Sequence, residues 1–156
     1  MNTNKRQKGF TIIEVVLVLA IAALIFLMVF IALPALQRGQ RDTARKQDAN
    51  TVITALNTWK GNHRGSLPGD SDHTEFATNY VKQLGQYDVG DGEIFKWSTG
   101  EAPVLDEGDE LNQMGIALHA QCNDDGSGVT TSGASTRSAA VIIRLEASDA
   151  TVCIDA

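Results

Sequence analysis

Basic residues are scarce in most of this chain. From His63 to the C-terminus there are five, Arg64, Lys82, Lys96, Arg137 and Arg144, against sixteen acids. That leaves this stretch at −11, within a chain whose net charge is −6. Such a surface disfavours non-specific nucleic-acid binding, which relies on Lys and Arg to displace counterions from phosphates. The acidity itself favours solubility. The three histidines, His63, His73 and His119, lack metal-ligand spacing. A phosphate-cradling glycine loop, a CxxC pair and a Ser/His/Asp arrangement are all missing. No catalytic site can be defended, and the chain reads as a non-enzyme with no small-molecule ligand. Two acidic groups, Asp70, Asp72 and Glu75, and Asp88, Asp91 and Glu93, offer the oxygen ligands that Ca²⁺ prefers. Neither has EF-hand spacing, and Gly/Asp turns account for both. No cofactor is expected, with calcium left as an alternative.

Charge is also absent from Val15 to Leu36, a run of 22 positions. As a helix it spans ~33 Å at ~1.5 Å per residue, against a bilayer hydrocarbon core of ~30 Å. The run reads as a membrane segment rather than a buried soluble helix. Before it lie Lys5, Arg6 and Lys8 with no acid, a basic leader. A secretory signal has an apolar region of ~7–15 residues and then a small-residue cleavage site. This run is longer and no such site clearly follows, although Ala32 and Ala35 in "MVFIALPALQ" leave conventional cleavage as an alternative. Arg38, Arg41, Arg45 and Lys46 follow the run, so positive charge at both ends leaves its orientation open.

In "DANTVITALNTWKGN" the residues Ala49, Val52, Ile53, Leu56 and Trp59 follow helical spacing, with Asp48, Asn50, Thr51, Thr54, Asn57 and Lys60 on other faces. Trp59 and its neighbours read as ordinary core. Gly61 and Asn62 mark the stop. Pro34 is expected to kink this helix of about fifty residues, and Gly39 to weaken it. Beyond it, "TEFATNYVKQLG" reads as a short helix with Phe76, Tyr80, Val81 and Leu84 on one face, ended by Gly85. A short strand is expected at Ile94 to Trp97. Ile116, Leu118, Ala120 and Cys122 alternate as in a half-buried strand. "AAVIIRLEA" and "TVCIDA" are strands with a turn at Ser148 and Asp149. The "NDDGSGVTTSGASTRS" segment reads as a loop too polar to pack, with possible glycan acceptors at 127–138. The fold class is α+β, with the Ile116 strand and the last two strands forming an antiparallel sheet over the exposed stripe of the helix. The chain has two cysteines, Cys122 and Cys153. In an exported domain an even count suggests a disulfide, worth ~3.5–4 kcal/mol by chain entropy. Two reduced thiols are the cytosolic alternative.

The stretch Lys8-Gly9-Phe10-Thr11-Ile12-Ile13-Glu14 combines a basic leader, Gly-Phe-Thr and an acid one helical turn on, before a long apolar run. It closely resembles the class III signal of type IV prepilins and related pseudopilins. The resemblance is dense over about thirty residues and architectural beyond them. It implies a pilin fold: a leader at 1–9, a hydrophobic transmembrane and filament-core half at 10–36, an amphipathic half at 37–62, and an exported acidic head at 63–156. It implies cleavage between Gly9 and Phe10 by a prepilin peptidase, N-methylation of Phe10, a cytoplasmic leader and a single-pass precursor in the cytoplasmic membrane. Polymerisation by the membrane assembly machinery into a helical homo-oligomer at the cell surface would follow. Pro34 lies slightly farther from the cleavage site than the family's kinking proline.

Glu14 acquires a specific role in that setting. Intramembrane acids usually have a partner. Cleavage at Gly9 creates an α-amino group on Phe10, of reference pKa ~7.7–8.0 and so mostly charged at neutral pH. Residues four apart share a helix face, so Glu14 can neutralise its own amine or that of a neighbouring helix. A neighbour displaced by about one turn would have its axial register fixed by the pair. The expected role is a repeating structural subunit, a major pilin serving adhesion, motility or DNA uptake. The alternatives are a major pseudopilin of a type II secretion or competence system and a non-polymerising single-pass binding protein.

Overall fold

The computed structural model describes residues 9–81, 84–87 and 93–156. Residues 1–8 of the expected leader at 1–9 and the acids Asp88 and Asp91 lie outside the described residues. Helix α1 runs from Ile12 to Asn62, and the chain divides into two compact units, Met1–Gln37 and Arg38–Ala156.

In the first unit, α1 is apolar all round, long enough and apolar enough to cross a membrane. Every side chain from Ile12 to Gln37 except Ala22 is exposed. Pro34 lies inside the helix, which is assigned as continuous through it and through Gly39.

In the second unit α1 buries Ala49, Val52, Leu56 and Trp59, the stripe its spacing predicts. Two features differ from the sequence reading. Asp48, assigned to another face, is buried, and the stripe runs back through Arg45 and Asp42, also buried. At the other end the helix stops at Asn62 as expected, but Gly61 remains helical. The reversal is made by Arg64 (φ 58°) and Gly65 (φ 88°). The Gly65 N–H donates to the Lys60 carbonyl at 2.7 Å, which satisfies one of the last helical acceptors.

A 3-10 turn at Asp70–Asp72, the helical turn α2 at His73–Glu75 and a π-helical stretch at Phe76–Val81 follow. The wider π turn keeps Phe76 and Val81, five apart, both buried. The sheet comprises β1 (Phe95–Thr99), β2 (Met114–Leu118), β5 (Ala139–Arg144) and β6 (Thr151–Asp155), in the order β1-β2-β5-β6. β2, β5 and β6 are antiparallel, with Ile116 opposite Val141 and Val141 opposite Ile154. The three strands expected to be antiparallel are so, and β1, parallel to β2, makes the whole sheet mixed. Parallel pairing of β1 with β2 follows from the long connection between them.

Alternation along β2 and β5 divides the sheet between two covers. Ile116, Val141 and Ile143 join the core built on α1 and Phe76. Ala140, Ile142 and Cys153 face the other way, toward Cys122 and Val129. The second cover is the hairpin β3 (Gln121–Cys122) and β4 (Val129–Thr130). The polar segment expected not to pack therefore supplies a strand, through its single valine. With both faces covered, all five residues of β2 are buried, and the expected half-buried pattern is not seen. Continuous alternation to Cys122 also fails, because His119 takes φ 57° and breaks the strand.

Candidate functional site

Gly9, Phe10 and Thr11 precede the helix in non-helical conformation. A methyl group on Gly9 would meet nothing within 4 Å, and its backbone is not in the left-handed region. No packing within the described chain requires glycine there. Phe10 is 90% exposed. The Glu14 carboxylate accepts from the Thr11 N–H and the Thr11 hydroxyl, both at 2.8 Å. The Glu14 N–H in turn donates to the Thr11 hydroxyl at 3.4 Å. Thr11-Ile12-Ile13-Glu14 is therefore a capping box, in which Thr and Glu three apart satisfy each other's free backbone donors. Sequence reasoning missed Thr11, although the T-x-x-E spacing was available to find it. Within one chain the acid thus has a partner, and the helix start is fixed one residue after it leaves the Gly-Phe bond.

A second polar cluster sits where the amphipathic part of α1 meets the β5–β6 turn. The Asp42 carboxylate accepts from the backbone N–H groups of Glu146 (2.7 Å) and Ala147 (2.9 Å) and from Arg45 Nη1 (3.0 Å). The Glu146 carboxylate takes a two-pronged contact from Arg41, 2.7 Å from Nε and 2.6 Å from Nη2. Arg45 reaches Glu146 at 3.5 Å and the Leu111 carbonyl at 3.3 Å. Burial raises the Asp42 pKa, yet the two N–H donors and Arg45 outweigh it and hold it below the usual carboxylate range. The Arg41 hydrogen bonds bring Glu146 down to about 2. One turn further along α1, Asp48 accepts the N–H groups of Gly85 (2.7 Å) and Gln86 (2.6 Å). These residues position α1 and offer no reactive group.

Cys122 and Cys153 form a disulfide with Cα atoms 5.6 Å apart. Gly39 lends its carbonyl to the Thr43 hydroxyl at 2.9 Å. Of the expected acidic groups, Asp72 accepts the Gly69 N–H at 2.9 Å. Among the described residues no three His, Cys, Asp or Glu converge on a possible metal position. His63 stacks on Trp59 and His73 on Trp97, each with ring centroids 3.9 Å apart.

Residues 4–30 match the family model of the prokaryotic N-terminal methylation motif. No curated protein and no solved structure matches the chain. The match supports a class III signal of the kind that type IV pilin and pseudopilin-type prepilins carry. The apolar helix, antiparallel-rich sheet and Cys122–Cys153 disulfide fit the α+β pilin fold.

Proposed function

We propose that this chain is the repeating structural subunit, the major pilin, of a type IV pilus. The observation that carries the reading is the methylation motif at residues 4–30, continuous with a helix that is apolar on every side. A membrane-anchored precursor fits both features. The prepilin peptidase cuts between Gly9 and Phe10, which accounts for a glycine that the chain's own packing does not need. Phe10 is then N-methylated, and the exposed apolar surface of 10–36 is buried against copies of itself in a helical filament at the cell surface. There Glu14 pairs with the Phe10 amine of a neighbouring subunit, exchanging its Thr11 partner for an intermolecular one. Pro34 and Gly39 provide the place where α1 bends during packing.

Mass spectrometry of the mature N-terminus tests this reading. The expected product begins at N-methylated Phe10, and Gly9→Ala leaves the leader attached. An exported form that keeps Met1, or one cleaved after Ala35, would remove the assignment.

A further inference from the structure

Four basic residues after His63 are described, and two of them are ion-paired: Lys96 to Asp106 at 2.7 Å and Arg144 to Asp149 at 2.9 Å. The other two, Arg64 and Arg137, have no carboxylate within 4.0 Å among the described residues. They come from distant parts of the chain and line one open pocket of about 380 Å³. In a stretch of −11, two cations without an acidic partner among the described residues line the same pocket.

The pocket is built on structure already described. Arg64 is the left-handed residue that ends α1, and Gly65 follows it with φ 88°. A Cβ on Gly65 would lie 2.9 Å from the Arg137 guanidinium carbon and 2.9 Å from Nε. The guanidinium thus rests on bare backbone, in space that only glycine leaves open. The Arg137 loop is itself braced, with the Arg137 N–H on the Ser135 hydroxyl at 3.2 Å and that hydroxyl 3.0 Å from Ser138 Oγ. The apolar part of the lining comes from Leu67, Pro68 and Leu118. Ser66, Thr99 and Thr136 also line the pocket, as does Asp70.

Guanidinium groups recognise carboxylate and phosphate oxygens through paired N–H donors. A bare ion would use little of a 380 Å³ pocket. A lining that mixes apolar residues with Ser66, Thr99 and Thr136 suits a pyranose ring, which presents both C–H groups and hydroxyls. We propose that this pocket binds an anionic sugar, its phosphate or carboxylate held by Arg64 and Arg137 and its hydroxyls by Ser66, Thr99 and Thr136. The proposal stands apart from polymerisation, because every residue in it belongs to the head.

The test uses the full chain in a polyoxyethylene detergent, followed by amide chemical shifts during titration with glucose 6-phosphate, glucuronate, inorganic phosphate and glucose. Saturable shifts confined to residues 64–70 and 136–138 are expected for at least one of the two anionic sugars, with a dissociation constant of about 1 mM or tighter. Arg137→Gln should weaken binding about tenfold or more, because the paired contact is lost. Asp70→Asn should tighten it a few-fold by removing an acid from the lining, a gain that misfolding cannot imitate. Glucose 6-phosphate binding over glucuronate would assign the acid as phosphate, and the reverse would assign it as carboxylate. Equal binding of neutral glucose would overturn the proposal. Inorganic phosphate binding as tightly as both anionic sugars would do the same by showing a bare anion site, as would Asp70→Asn without effect.

Discussion

The Glu146 backbone N–H donates to the Asp42 carboxylate at 2.7 Å, across 104 residues of sequence. With the second N–H from Ala147 and the Arg45 pair, it ties α1 to the β5–β6 turn by a buried charge. Removing Asp42 would leave Arg45 buried with a weaker partner and two N–H groups unmet. Asp42→Ala is expected to cost about 3 kcal/mol or more, read as a lower midpoint in urea unfolding with an unchanged slope.

Both carboxylates of this cluster titrate below their ordinary values in the folded chain, Glu146 at about 2. A depressed folded-state pKa contributes stability that is fully present above the unfolded value and is lost as pH falls. The head should therefore keep its stability down to about pH 5 and lose it progressively toward pH 2. Thermal unfolding across that range checks the direction. Arg41→Gln should flatten the acid limb, because Arg41 is the main cause of the Glu146 shift.

Gly115 lies opposite Ile142 in the sheet. An added Cβ would collide with Pro103 Cγ. Ring and backbone leave no flexible end to move aside, so Gly115→Ala should destabilise by ~1–3 kcal/mol through overpacking. A lowered melting temperature with native far-ultraviolet circular dichroism is the expected signature.

The disulfide closes a loop of sequence separation 31 between Cys122 and the edge strand β6. Reduction, or replacement of both cysteines by serine, should cost about 3.5 kcal/mol on the chain-entropy argument. Added reductant should lower the unfolding midpoint of the wild type and leave that of the double variant unchanged.

Glu14→Ala separates processing from assembly. Cleavage and methylation are expected to proceed, while filament yield falls about tenfold for each ~1.4 kcal/mol of intermolecular pairing lost. Sheared filaments weighed against membrane-retained subunit give the ratio. Normal yield would sink the register role of the Glu14–Phe10 pair. Thr11→Val distinguishes capping from pairing, since it removes the hydroxyl partner of Glu14 and leaves the carboxylate itself.

Periodicity located the long helix, the stripe from Ala49 to Trp59 and the last two strands, because each buries an apolar face with a regular repeat. The stripe's continuation through Asp42, Arg45 and Asp48 was hidden. Charged residues read as solvent-facing until the groups that satisfy them, here the N–H groups of residues 85, 86, 146 and 147, are brought near by the fold. The β3–β4 hairpin was hidden for a related reason, since one valine and a disulfide substitute for an apolar run. At the N-terminus the motif was legible because its chemistry is local in sequence. Arg64 and Arg137 were not, because only the fold makes them neighbours.

Asp42 is synthesised early and its partners at 146 and 147 late. During N-to-C synthesis Asp42 and Arg45 can pair with each other as soon as α1 forms, and Arg45 meets the Leu111 carbonyl next, but the two N–H donors to Asp42 come only with the β5–β6 turn. Such long-range closure makes folding slow and order-dependent. A chain truncated before Glu146 would keep α1 and its Asp42–Arg45 pair but lose both N–H donors to Asp42, and with them the tie between this end of the helix and the sheet.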